Sequence, residues 1–421
     1  MAESFDVIVA GGGPAGIAAA ISSAATGART LLVERSDVLG GNAGNALVHT
    51  ICGLYLNDRE GAAEYAHDGF PRRFGELLRR RGAAGEPERA GRVHVLPTYP
   101  HLMAAAARDL CAGQVNLTVW CDATLSAAAA DDTGTELRFA RAGAEVGAYA
   151  PIAIDTTGDA NLAALLAADC EQESADRLQN PSYIIRVEGV DARETDGFAR
   201  LRLSHAIARA EIKAELPPGA GSVLVRPGAR PGEAYITLNV PKPSDRPYAP
   251  LDEAALTELT DGARRNAAAL VEYLRHHRDG FARCEVVEWP RRIGVRETRR
   301  VAGVTTMIGD DIVAGRVRDD EVARSTWPIE LWHDHKGARF IYPEGPSSVP
   351  LGALISRSHP RLGMAGRCMS ASHDALGALR VIGTALATGE AIGCAAALAA
   401  SRNGTLREVS AADIPTSKRM A

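Results

Sequence analysis

The sequence predicts an α/β fold: a domain opened by a βαβ unit that carries a three-stranded meander and is interrupted by an α+β insert. Three observations predict it. An apolar run, a glycine turn and a helical pattern follow one another between Phe5 and Glu34. Short alternating segments separated by turn residues lie between residues 117 and 155. Strand, turn and helix signals return from Val349 onward, after a stretch of different character.

Taken in order, Phe5–Ala10 reads as a strand, Pro14–Thr26 as a helix and Thr30–Glu34 as a second strand, which together make a βαβ unit. A loop-like region with a basic patch at Arg79–Arg81 is expected up to about Val95, and a helix at Tyr99–Leu110. Leu117–Cys121, Glu136–Arg141 and Ala148–Asp155 are expected to form the meander, with a turn at Asp131-Asp132-Thr133-Gly134. From Ser182 the pattern reads strand (Tyr183–Val187), helix (Phe198–Leu216), strand (Tyr235–Val240), helix (Asp252–His277), strand (Cys284–Trp289). The expected division is therefore a first domain at 1–180, an insert at 181–345, and a return to the first domain at 346–421.

Composition excludes several classes. The chain has 421 residues, 46% hydrophobic and 24% charged, with a net charge of −5. That is enough chain for two or three cores, and the absence of a basic block argues against nucleic acid as a partner. The best membrane candidate, Val381–Ala400, contains Glu390 and is mostly Ala and Gly, so a buried helix is expected instead. No basic leader or apolar run precedes Phe5, so a cytoplasmic location is expected. The 7 cysteines are scattered without a C-x-x-C pair, which fits a reducing compartment better than disulfides or zinc.

The stretch DVIVAGGGPAG sets Gly11, Gly13 and Gly16 in G-x-G-x-x-G spacing. Gly11 permits the tight turn, Gly13 the approach of a pyrophosphate, and Gly16 the packing of helix on strand. Pro14 and Ala15 open the helix, whose N-terminal N–H groups suit phosphate. Glu34 ends the next strand and suits the hydroxyls of a ribose, with Arg35 beside it. Gly40 and Gly41 follow, with Asn42 next, and let the chain pass close to a ribose and phosphate.

With these motifs the sequence resembles FAD-dependent oxidoreductases of the glutathione-reductase-like superfamily, with a Rossmann-like FAD-binding domain. Three further stretches carry the resemblance: IDTTGDANLAA from Ile154, GVRETRRVAG from Gly294, and MAGRCMSASHDALGALR from Met364. It covers most of the chain except about 190–285. The resemblance implies FAD, with Gly158 and Asp159 in an A-T-G-D-like element and Gly366 and Arg367 at the ribityl and pyrophosphate. It also implies Ser370, Ser372 and His373 near the flavin ring. A helix starting near Leu379, after Gly377, would aim its N-terminus at the N1–C2=O edge, where Arg380 would add charge.

The flavin chemistry narrows by elimination. No C-x-x-x-x-C pair follows the Gly-Gly turn, where only Cys52 occurs, so dithiol chemistry is not expected. No second G-x-G-x-x-G follows a strand, so NADH and NADPH are expected to be poor reductants. A dehydrogenase or oxidase remains, passing a hydride between a small organic metabolite and flavin N5, with oxygen, a quinone or a protein taking the electrons. The alternatives are a monooxygenase or halogenase-like enzyme, or a non-catalytic FAD-binding or electron-transfer subunit. A homo-oligomer is compatible with the sequence.

Substrate-side candidates are few. His49 could serve as a base or a flavin attachment point, although neither His49 nor Cys52 sits in an attachment motif, so FAD is expected to be held non-covalently. Arg296, Glu297, Arg299 and Arg300 lie where the insert returns, and one or two of the arginines are candidates to clamp a substrate carboxylate bidentately. His333 and His335 flank Asp334, and no further ligand spacing supports a metal. The family element near His333 reads P-I-D-I-H, whereas this chain has Pro328-Ile329-Glu330-Leu331-Trp332 with His333 one place later. The substrate pocket is expected between flavin and insert, lined from residues 49–55, 296–300 and 327–335.

Overall fold

The computed structural model describes residues 2–57, 61–334 and 337–415. In chain order, its main elements begin β1 (Val7–Ala10), α1 (Pro14–Ala25), β2 (Thr30–Val33), α2 (Phe70–Arg80), α3 (Pro100–Ala112) and β3 (Leu117–Trp120). Then come β4 (Ala123–Ala130), β5 (Thr135–Arg141), β6 (Ala144–Ala150) and β7 (Ile152–Asp155). The insert holds β8 (Ser182–Glu188), α4 (Gly197–Ile212), β9 (Val223–Pro227), β10 (Glu233–Asn239), α5 (Glu253–His277) and β11 (Glu285–Glu288). The return comprises β12 (Ile329–Asp334), β13 (Gly337–Ile341), β14 (Leu362–Met364), α6 (His373–Leu379) and α7 (Ile382–Ser401).

The central sheet has the order β14-β7-β1-β2-β3, and all of its neighbours pair in parallel. β1, β2, β7 and β14 are buried at every position, as expected of parallel strands covered on both faces. Helix α1 packs against α7. A Cβ at Gly389 would lie 2.2 Å from the Ala15 carbonyl oxygen, and one at Gly393 2.2 Å from that of Ala19. That close approach accounts for the Ala/Gly content of α7. By length and composition α7 could cross a membrane, but 94% of its apolar window is buried inside this protein. Its Glu390 accepts a hydrogen bond from Phe70 N (2.8 Å) at the start of α2, where a carboxylate suits the unpaired N–H groups of a helix.

The meander differs from the expected one. Leu117–Trp120 is the edge of the central sheet, and Ile152–Asp155 lies inside it. The meander is β4-β5-β6, extended by a short parallel strand at Glu3–Ser4. β4 is ATLSAAAA, almost without the β-branched residues that mark strands in sequence, and Pro151 divides two strands that read as one. The expected loop before Val95 also holds α2, whose Phe70, Phe74 and Leu78 bury one face. Arg79 and Arg81, read as a basic patch, close that helix and pair with Glu86 and Asp109.

The insert is an antiparallel sheet in the order β9-β10-β8-β11. With α4 and α5 it encloses a second core running from Tyr183 to Val295. Asp252 caps α5 by accepting from Ala254 N and Ala255 N. Val301, Met307, Ile312, Val322, Ile329 and Leu331 add their side chains to the first core. Bonds that tie the cores together include Tyr99 Oη to Glu233 Oε2 (2.8 Å), Asn42 Nδ2 to Val295 O (3.0 Å) and Arg291 N to Asn45 O (2.9 Å).

Candidate functional site

The glycine turn lies at the C-terminal end of β1, where open parallel sheets place their ligands. Gly11 has φ +108°, and a Cβ there would sit 2.4 Å from Thr156 O. A Cβ on Gly16 would lie 1.8 Å from Gly11 O, so Gly16 lets α1 rest on the turn. Gly13 is different: the nearest protein atom to its Cβ would be Gly41 Cα at 3.9 Å. The chain itself leaves that face open, as a dinucleotide pyrophosphate requires. Glu34 spans the turn, its Oε2 accepting from Gly12 N (2.7 Å) and its Oε1 from Ser36 N (2.9 Å). Burial raises its pKa above the ordinary value, against the pull of these bonds.

A cavity of about 1000 Å³ starts at this turn. That is the upper end of the range for small-molecule sites, so it has room for a dinucleotide and a second molecule. Its first end is lined by Gly11, Gly13, Pro14, Ala15, Glu34 and Arg35, with Gly41, Asn42, Gly158, Gly366 and Arg367 further along. Its other end reaches His49, Cys52, Arg226, Arg296, Trp327, Glu330, Trp332 and Arg380.

Several expected contact residues stand outside the lining. Asp159 pairs with Arg367 (2.8 Å) and accepts from Thr298 Oγ1 (2.9 Å), so it positions an arginine that does line the cavity. Ser372 caps α6 instead, accepting from Ala375 N. At Gly377 a Cβ would come within 3.1 Å of the Glu330 backbone, so this glycine lets α6 touch β12. The helix expected from Leu379 begins at Ile382, because Arg380 ends α6 and Val381 is extended; Val381 and Ile382 then line the cavity.

His333 is exposed and lies outside the cavity, its Nε2 3.2 Å from Nε2 of buried His373. His373 Nδ1 is 2.8 Å from Glu297 Oε1, which also accepts from Arg300 NH1 (2.7 Å). The RETRR stretch thus divides. Arg296 and Arg299 line the cavity, while Glu297 and Arg300 form a buried ion pair behind it. His335 lies outside the described residues, and among those described no three His, Cys, Asp or Glu side chains are grouped to hold a metal.

His49 is buried and stacked on Tyr235 (ring centroids 3.9 Å apart, planes at 2°). Its Nδ1 is 3.3 Å from Leu47 O, while Nε2 has no partner. Burial first, then the charge of Arg226, presses its pKa down to about 3, so the ring is neutral. Burial pushes the Cys52 thiol up to about 12, which leaves no thiolate there.

Sequence reasoning missed the role of Glu330. Its Oε2 accepts from Trp327 Nε1 (2.8 Å) and its Oε1 from Trp332 Nε1 (2.6 Å). Burial raises its pKa, but the Arg380 charge and the two indole donors outweigh burial and bring it below the ordinary value. The signal was present in WPIELW, where a lone acid sits between two tryptophans.

A family model of FAD dependent oxidoreductases matches residues 6–417, nearly the whole chain, and the chain belongs to that family. No curated protein matches it in sequence. Among solved structures it is similar in fold to p-nitrophenol 4-monooxygenase PnpA from Pseudomonas putida DLL-E4. The TM-score is 0.54 at 12% identity, covering 99% of this chain and 88% of that one. A flavoprotein/dehydrogenase from Cytophaga hutchinsonii gives a TM-score of 0.52 at 12% identity, covering 96% of this chain and 80% of that one.

Proposed function

We propose that this FAD-dependent oxidoreductase oxidises a small organic anion held between the flavin and the insert, as a dehydrogenase or oxidase. One observation carries the reading: a single cavity runs from the open face of Gly13 to a wall built by the insert and the β12 hairpin. FAD, when bound, supplies the redox chemistry by accepting a hydride, and the protein supplies orientation and electrostatics. The glycine turn, the start of α1, Glu34 and the Gly366–Arg367 turn would hold it. The apolar wall of Trp327, Trp332 and Phe340 keeps water from the second end, and Arg296 offers its charge to the substrate. Electrons would then leave to oxygen, a quinone or a protein partner. The test is anaerobic mixing of purified holoenzyme with a panel of organic acids. Loss of flavin absorbance with one of them supports the reading, whereas a flavin inert to all of them refutes it.

A second reading is a flavin monooxygenase, favoured by the whole-length fold likeness to PnpA. It requires direct reduction of the flavin by NADH or NADPH. Rapid, saturable bleaching by NADPH would replace the first reading with this one.

A further inference from the structure

The far end of the cavity contains an electrostatic imbalance. Arg296 is 8% exposed, and its guanidinium stacks 4.4 Å from the Trp332 ring centre. Its NH1 donates to two neutral oxygens, Asn180 O and Asn239 Oδ1 (3.3 Å). Arg380 NH2 donates to Gln179 Oε1 (3.4 Å) and Glu330 O (3.1 Å), again neutral oxygens, and its buried Nε has no partner. Gln179 and Asn180 are consecutive, so the two guanidinium groups are held at neighbouring points of one loop. Both line the cavity. The acid near them, Glu330, is tied to two indoles and lies within 4.0 Å of neither guanidinium, since no such pair is formed among the described residues. Glu297, the other acid whose charge reaches Arg380, is committed to Arg300 and His373, so neither guanidinium has a carboxylate of its own in this buried setting. An unpaired buried cation is costly, and the usual remedies are a partner or a shifted pKa. Burial first, then Arg380, already presses Arg296 down to about 9.

We infer that Arg296 and Arg380 form a joint clamp for a substrate carboxylate, and that His49 Nε2 accepts a hydrogen bond from a hydroxyl or amine of the same molecule. This moves Arg380 from the flavin edge, where the sequence places it, to the substrate. It rests on the proposed function and names the substrate class for that site: an apolar or aromatic carboxylic acid bearing a hydroxyl or amine. A carboxylate brings the missing negative charge and can take paired N–H donors from planar guanidinium groups. Trp327, Trp332, Phe340 and Tyr342 supply the apolar wall for its body. His49 supplies the remaining handle. Its Nδ1 points at the Leu47 carbonyl, which fixes the proton there and leaves the Nε2 lone pair unpartnered on a cavity-lining ring.

The test titrates oxidised holoenzyme with mandelate, mandelamide and phenylacetate while following the flavin spectrum. Mandelate is expected to bind at least tenfold more tightly than mandelamide, which lacks the charge, and more tightly than phenylacetate, which lacks the hydroxyl. Arg296→Lys and Arg380→Lys should each weaken mandelate at least tenfold while flavin content and melting temperature stay close to wild type. In His49→Phe the preference for mandelate over phenylacetate should disappear. Equal binding of mandelate and mandelamide, or no spectral change with any of the three, overturns the clamp. Loss of FAD from Arg380→Lys with unchanged mandelate affinity in Arg296→Lys returns Arg380 to the cofactor and overturns it as well. A purified protein without FAD would instead remove the proposed function itself, so the two failures are distinguishable.

Discussion

The two ends of the cavity are built by different means. At the Gly11–Glu34 end the contacting surface is mostly backbone: a glycine turn, a helix start and a second turn at Gly366. At the insert end it is side chains, with His49, Arg226, Arg296, Glu330 and Arg380 brought from five separate segments. A backbone-made site depends on a few short-range conformations and so survives as a compact sequence pattern. A side-chain-made site depends on how distant segments pack, and neither its membership nor its charge balance can be read from spacing.

The sharpest way to break this contrast is at Gly13. Gly13→Val should abolish FAD retention while the protein still folds, since its Cβ would meet no protein atom closer than 3.9 Å. Gly16→Val should instead fail to fold, because its Cβ would fall 1.8 Å from Gly11 O. Flavin-to-protein ratio and circular dichroism distinguish the two, and normal FAD content in Gly13→Val would sink the assignment.

At the other end, Arg296→Ala should leave flavin content intact and lower kcat/KM about ten- to a hundredfold. That corresponds to ~1.5–3 kcal/mol for a charge-assisted hydrogen bond. Steady-state kinetics with the substrate found by anaerobic screening would measure it. Loss of FAD in this variant would show that the cofactor, not the substrate, uses Arg296.

Acid should weaken the fold through two buried histidines. His49 and His67 both have their pKa pressed from 6.5 to about 3, chiefly by burial. Between those values the unfolded chain holds a proton that the folded chain does not. Stability from each ring is therefore fully present above about pH 6.5 and is lost as pH falls toward 3, at ~1.4 kcal/mol per pH unit. His67 Nε2 accepts from Arg324 N (2.8 Å), a bond that Gln can imitate without titrating. Melting temperatures of His67→Gln between pH 7 and 5 should fall less steeply than those of wild type, and an unchanged slope would refute the account.

The smallest effect is expected at the seam between the two cores. Tyr99→Phe removes the bond to Glu233 and should cost about 1.5 kcal/mol, seen as a few degrees in melting temperature, with flavin content unchanged.

How much was legible follows the same division. The βαβ unit, the glycine turn and the insert's long helices were visible because each rests on local periodicity or on a conformation only glycine takes. Strand β4 was not, because ATLSAAAA has little β-propensity of its own and is held by pairing with β5. Helix α2 was read as loop although Phe70, Phe74 and Leu78 recur at helical spacing; it also carries Pro71 and Gly75, the two residue types with the lowest helix propensity. Ser372, Gly377 and His333 lie close in sequence to cavity residues, yet their side chains or Cβ positions turn toward a helix cap, a strand and solvent.

The sequence by itself determined the dinucleotide half of this protein, because steric rules at Gly11, Gly13 and Gly16 act over a few residues and permit little else. Only the tertiary structure decided the other half. It set Arg380 beside Arg296 through Gln179 and Asn180, and it engaged the Glu330 carboxylate with two indoles. The resulting positive charge is a property of burial and packing, and these exist only once residues hundreds of positions apart share one cavity.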